Sequence, residues 1–293
     1  MLPSSLARPG RSPGPALRFT PRYLLTEDGI RIEAVHAPQT GGPRWPRRGP
    51  RDPRDPHGGV CFVVAHGFTG SWRRPAVRRV AEALGRLGGV VSFDFRGHGR
   101  SRGLSTLGAL EVLDLDAAVR WARALGYERV ATVGWSLGGS TAVRHAALHS
   151  GVDAVIAVSS PSRWDNHDSV EMRRLQWMIQ RRLGRAFARG VLRTRISPGG
   201  YDPMPAPPVE LAGRLAPVPL LVVHGDRDSY LPVHHAEELH AAAGDPRALW
   251  IEQGFGHAEA GASDRLVTRL GRWAIGALDT ALGGTAQPAH GGA

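Results

Sequence analysis

Lysine is missing altogether, and all 37 basic residues are arginine. That absence points to a GC-rich coding context as much as to any function. Cysteine is nearly absent as well. Cys61 stands alone, which excludes a disulfide framework and a cysteine-based zinc module. No apolar run reaches the roughly 18 residues of a membrane-spanning helix, so no span is expected. The opening stretch, MLPSSLARPGRSPGPALRF, is basic but has no apolar segment of the kind a secretory signal requires. The expected compartment is the cytoplasm.

What is present suits one large folded unit. The 293 residues are 42% hydrophobic, enough to build a core without covalent staples. The net charge of +11 is unevenly spread. Residues 1–58 carry 10 Arg against 5 acids, residues 162–200 carry 9 against 3, and the remainder balances at 18 against 18. Such a surplus raises nucleic acid as a partner. No nucleic-acid module and no basic stretch interleaved with aromatics accompanies it, so none is expected.

Residues 1–18 are rich in Pro, Gly and Arg and read as a disordered segment. Arg22–Leu25 and Ile30–Val35 flank a Glu27-Asp28-Gly29 turn and predict a hairpin. Residues 38–58, including Trp45, read as a long loop. From Gly59 apolar strands alternate with helical patterns. Strands are predicted at 60–65, 89–93, 128–133, 153–159, 218–225 and 247–252. Helices are predicted at 75–87, 107–125, 138–149, 233–243 and 263–281. Continuous apolar runs such as VCFVVA mark strands buried on both faces, and the alternation predicts an α/β fold with a mostly parallel sheet. The alternation breaks at about 161–217, where a basic helical stretch (169–195) precedes a Pro-rich connection. That excursion is too long for a plain loop and reads as an inserted cap after the sixth strand. The folded unit is expected over 19–281, with a flexible tail at 282–293.

Gly134-Trp135-Ser136-Leu137-Gly138 fits G-x-S-x-G and lies between a buried strand and a small-residue helix. A serine on so sharp a turn takes a strained backbone, which small neighbours permit; Gly134, Gly138 and Gly139 leave that room. The bland alternative is a glycine-rich turn with an incidental serine.

With this motif, the chain from about 20 to 281 resembles an α/β-hydrolase, and the resemblance implies a central sheet with helices on both faces. It implies Ser136 as nucleophile. His66-Gly67-Phe68-Thr69-Gly70 resembles the family's loop for the oxyanion hole, whose donors would be the backbone N–H groups of Phe68 and Leu137. The Asp94–Ser101 segment, DFRGHGRS, resembles the family's D-x-R-G-x-G-x-S loop and is read as structural. His224-Gly225-Asp226-Arg227-Asp228 implies Asp228 as the acid, with Asp226 as its rival. Gly254-Phe255-Gly256-His257 implies His257 as general base. The order Ser136, Asp228, His257 is the order expected of this fold.

Trp135, beside the serine, and Trp164 and Trp177, in the cap, are candidate substrate contacts. His145 and His149 are four apart but lack a third ligand, so no metal is expected, and no phosphate-binding glycine loop implies a nucleotide cofactor. The implied activity is hydrolysis of a small-molecule carboxylic ester through an acyl-enzyme. A small-peptide hydrolase, a thioesterase and a catalytically silent binding protein on the same fold stay open. The cap arginines are read as a solvated basic face backed by an inner apolar face formed by Leu175, Trp177, Met178, Ile179, Leu183 and Phe187. Oligomeric state is not legible.

Overall fold

The computed structural model describes residues 19–40, 59–164, 167–199 and 204–283, with side chains to 280. The 1–18 segment, residues 41–58 of the expected loop with Trp45, and the tail from 284 lie outside the described residues. Eight strands form one sheet: β1 (Thr20–Leu25), β2 (Arg31–Ala37), β3 (Val60–Ala65), β4 (Gly89–Phe93), β5 (Arg129–Trp135), β6 (Ala154–Val158), β7 (Leu220–Gly225) and β8 (Arg247–Glu252). Their order is β1-β2-β4-β3-β5-β6-β7-β8. The hairpin β1–β2 is antiparallel and joins β4 antiparallel, while β4 through β8 run parallel. Every residue of β3, β4, β6 and β7 is buried, as continuous apolar runs require when helices cover both faces.

Nine α-helices accompany the strands among the described residues: α1 (Pro75–Gly85), α2 (Glu111–Ala124), α3 (Leu137–Leu148), α4 (Val170–Gln180), α5 (Arg182–Gly190), α6 (Pro208–Leu211), α7 (His234–Ala242), α8 (Ala258–Gly261) and α9 (Asp264–Gly283). Alternate residues of β3 feed two cores. Cys61, Val63 and Ala65 pack with Leu115, Ala118 and Val143 of α2 and α3. Val60, Phe62 and Val64 pack with Val80 and Leu84 of α1 and Leu270 of α9. The chain is thus an α/β sandwich of three layers, with α4 to α6 inserted between β6 and β7.

Two elements differ from the sequence expectation. The helix expected from 107 begins at Glu111, because that buried carboxylate gathers the residues before it. Glu111 accepts from Ser105 Oγ (2.8 Å), Thr106 N (2.8 Å), Thr106 Oγ1 (2.7 Å) and Gly108 N (2.8 Å), holding Leu107 and Gly108 at φ of +57° and +105°. The basic stretch 169–195 is two helices. The chain turns extended at Arg181 (φ −93°, ψ 140°), and Gly184 then sits so close to α4 that a Cβ would lie 2.2 Å from the Met178 carbonyl oxygen.

The inserted segment is tied down at its base. Thr194 bridges His98, and Ile196 bridges Ser105. Arg195 N donates to Gly97 O (2.8 Å), and the Arg195 guanidinium to Ser101 O. At its start, Ser169 Oγ donates to Tyr230 O (2.7 Å). The cap therefore rests on the loop after β4 and the loop after β7.

Candidate active site

Parallel strands bring the loops after β3, β5, β7 and β8 to one edge, where open α/β sheets present ligands. Ser136 is the hinge between β5 and α3. Its φ of +50° and ψ of −115° are costly for any residue with a Cβ. The neighbours show why glycine is needed there. A Cβ on Gly134 would lie 2.2 Å from Gly138 O, and one on Gly138 would lie 2.2 Å from Ala65 O. The close seating of α3 on β3 and β5 over-determines the strained serine.

His257, between β8 and α8, meets Ser136 Oγ through Nε2 at 3.1 Å. Its Nδ1 faces Asp228, 2.9 Å from Oδ1 and 2.7 Å from Oδ2. Asp228 follows β7, and its side chain is fully buried. It also accepts from Tyr230 N (2.9 Å) and Leu231 N (3.0 Å). Burial pushes the Asp228 carboxyl up, but His257 and the two backbone N–H groups outweigh that effect and hold it below the usual carboxylate range. An ionised acid at Nδ1 fixes the imidazole with its proton on Nδ1 and its lone pair on Nε2 toward the serine. The Tyr230 ring covers His257 at a centroid distance of 4.7 Å. Asp226 is exposed and bonds elsewhere, taking Gly254 N at 2.6 Å.

Phe68, Leu137, Ser136 and His257 line one cavity of about 660 Å³. Leu137 N is in the first turn of α3, where backbone N–H groups have no partner within the helix. The turn carrying Phe68 is held from behind. His98 Nε2 accepts from Thr69 N (3.2 Å) and His98 Nδ1 donates to Arg96 O (3.0 Å). His66 donates to Gly67 O (2.7 Å) and accepts from Phe95 N (3.2 Å). Burial drives both imidazoles down to about 4, so each is neutral at pH 7 and can accept through one nitrogen while donating through the other.

The expected structural loop performs that task. Asp94 takes Trp72 N at 2.8 Å, and Arg96 pairs with Asp28 (2.7 Å) and Asp114 (2.9 Å).

Of the three tryptophans, the structure brings one to the cavity. Trp164 is on its wall, with Nε1 donating to Pro205 O (2.8 Å). Trp135 is fully buried in the core under α1 and α9 and does not reach the cavity, because strand alternation turns it to the same face as Ala131 and Val133. Trp177 is 59% exposed on the outer side of α4. The cap's apolar residues split in the same way: Leu175, Met178 and Ile179 reach the cavity, while Trp177, Leu183 and Phe187 face outward. The inner-face expectation is corrected accordingly.

The sequence reading did not single out Glu259. It is buried, lines the cavity, and accepts from Gly67 N at 2.6 Å. Burial pushes its carboxyl above the usual range against the pull of that N–H. An acid two residues beyond His257, in an otherwise small apolar run, was its only sequence signal. Cys61 is buried at the far end of β3. Among the described residues, the group that could hold a metal ion is Asp168, His234 and His235, with Asp168 Oδ2 at 3.3 Å from Nε2 of each histidine.

Comparison with known proteins agrees with this architecture. The family model described as the alpha/beta hydrolase fold matches residues 60–204, a span that contains Ser136 and stops before Asp228 and His257. The uncharacterized protein Rv2307c of Mycobacterium tuberculosis is 28% identical over 238 residues, covering 79% of this chain and 70% of its own. The uncharacterized protein YfhR of Escherichia coli O157:H7 is 26% identical over 237 residues, covering 77% and 69%. Among solved structures, the esterase Pf2001 of Pyrococcus furiosus superposes with a TM-score of 0.68 at 20% identity, over 94% of this chain and 99% of that one. The strand order, the strained serine between β5 and α3 and these matches converge on one architecture, the α/β-hydrolase fold.

Proposed function

We propose that the protein is a serine hydrolase that cleaves carboxylic esters of small or medium size through an acyl-enzyme. The observation that carries this reading is the unbroken hydrogen-bond chain from Ser136 through His257 to buried Asp228 at the floor of a largely apolar cavity. In the proposed cycle His257 Nε2 takes the Ser136 proton as Oγ attacks the ester carbonyl. The N–H groups of Phe68 and Leu137 receive the oxyanion, and their positions are set before charge develops. His257 then protonates the departing alkoxide, leaving Ser136 acylated. Water, deprotonated by the same imidazole, releases the acid and restores the serine. Asp228 keeps the imidazole in the required tautomer and stabilises its charged form.

The apolar wall of Trp164, Met172, Leu175 and Ile179 favours an apolar acyl or alcohol group. The Pyrococcus furiosus neighbour is called an esterase, which agrees in class. One observation favours the small-peptide alternative: Glu259 places a carboxyl in the cavity wall, where an amine could meet it. Its upward shift toward the neutral acid weakens that attraction. Assay of nitrophenyl esters of increasing acyl length against aminoacyl nitroanilides and acyl thioesters separates the readings. Esters of medium acyl length are expected to be turned over fastest, with all turnover lost in Ser136→Ala. Preference for the anilides would transfer the assignment to a peptidase.

A further inference from the structure

The two long cap helices carry an outer face that the catalytic cavity does not use. No residue of α4 is buried. On the outer side Trp177 is 59% exposed, Leu183 82% and Phe187 52%. With Val170 they border an open groove of about 740 Å³ on the far side of α4 and α5 from the catalytic cavity. Exposed aromatic and aliphatic side chains in this density mark a surface that is covered in use. Arginines frame it in sequence: Arg173 and Arg174 line the groove, and Arg181, Arg182, Arg185 and Arg189 belong to the same two helices and the turn between them, against one acid, Glu171. Among the described residues none of the six forms an ion pair with a carboxylate.

We propose that this face docks the protein on an anionic lipid surface. The charge decides between occupants. The chain's own 1–58 region carries 10 Arg against 5 acids, so it is repelled by the arginine frame. A second copy docking face to face would set arginine against arginine. A bilayer with anionic headgroups offers phosphates to the frame and hydrocarbon to Trp177, Leu183 and Phe187, the pairing by which interfacial helices bind. Met178 lines both the outer groove and the catalytic cavity. Docking would therefore place the lipid phase one side chain away from the cavity. On the reading of the site as an esterase, apolar esters would enter from that phase.

The test is co-sedimentation of the full chain with vesicles of phosphatidylcholine alone and of phosphatidylcholine mixed with phosphatidylglycerol. Binding to the mixed vesicles is expected to be stronger by about tenfold or more. The triple variant Trp177→Ser, Leu183→Ser, Phe187→Ser keeps every charge, and Arg173→Gln, Arg174→Gln, Arg182→Gln keeps the apolar face. Each is expected to lose about tenfold in binding. Ser136→Ala is expected to sediment like the wild type, so failure of docking and failure of hydrolysis are read separately. No binding to mixed vesicles, equal binding to both compositions, or wild-type binding by either triple variant would overturn the proposal. Capture by an acidic helical peptide without vesicle binding would assign the face to a protein instead.

Discussion

At the scale of single residues, the proposed catalysis turns on which carboxylate serves His257. Asp228 and Asp226 share one turn, yet only Asp228 is buried and within 2.7 Å of His257 Nδ1. Asp228→Asn is expected to lower kcat by about 10⁴-fold, because the amide admits the wrong imidazole tautomer. Asp226→Asn is expected to keep activity within about threefold, since its partner is the Gly254 backbone and the lost contact is a surface one. Steady-state kinetics on both variants check the assignment. A large loss in Asp226→Asn with a small one in Asp228→Asn would reverse it. The gathering of Ser136, Asp228 and His257 was legible because each follows an apolar strand within a glycine-marked turn, so local pattern alone places it at one sheet edge. Glu259 was not legible, since its partner Gly67 is 192 residues away. Trp135 lies in the core and not at the cavity, and a strand apolar on both faces gives no cue to which side a residue takes.

At the scale of elements, the proposed catalytic geometry is a matter of how closely β5 and α3 approach β3. Gly138 is the point where α3 meets β3, backed by the Ala65 carbonyl at 2.2 Å from a built Cβ. Backbone cannot yield as a flexible side chain can. Gly138→Ala is therefore expected to cost roughly 1–3 kcal/mol of stability by overpacking. It should also lower kcat about 100-fold through displacement of the serine turn. Thermal unfolding and kinetics on the same preparation test this; unchanged values for both would mean the close approach carries no constraint. The eight strands and the insertion after β6 were legible in the alternation of buried runs and helical periods. The start of α2 and the break between α4 and α5 were not. Glu111 captures Ser105, Thr106 and Gly108 through one carboxylate, and Gly184 allows a close contact with Met178. Neither appears in hydrophobic periodicity. Periodicity also cannot say which of two apolar stripes on α4 meets the cavity.

At the scale of the whole molecule, the arginine surplus resolves into places. The body balances, and the excess belongs to residues 1–58 and to the cap, where Arg173 and Arg174 line the outer groove. Buried histidines set a second global property. His66, His98 and His235 are lowered from 6.5 to about 4, chiefly by burial. Each is neutral when folded and takes up a proton on unfolding between those values. The unfolded state thus binds more protons in that window, and stability falls as pH drops through it, by up to about 1.4 kcal/mol per pH unit for each histidine. Asp228, held low, removes a further contribution at still lower pH. Melting followed by circular dichroism is expected to show a steady midpoint above pH 7 and a steep decline from pH 6 toward 4. Asp114, pushed up to about 7 chiefly by burial, takes up its proton in the folded state over the same range and offsets part of this decline; a profile that is flat or rises from pH 6 to 4 would contradict the three neutral imidazoles together.

The proposed chemistry requires Ser136 to be an activated nucleophile. A fluorophosphonate reacts covalently with such a serine and leaves unactivated hydroxyls untouched. Incubation of the wild type, Ser136→Ala and His257→Ala with the probe, followed by mass analysis of the labelled peptide, reads this directly. The expected result is one label, on Ser136, in the wild type, none in Ser136→Ala, and labelling slowed by about 10³-fold or more in His257→Ala. An unlabelled wild type, or equal labelling of Ser136→Ala, would rule Ser136 out as the nucleophile.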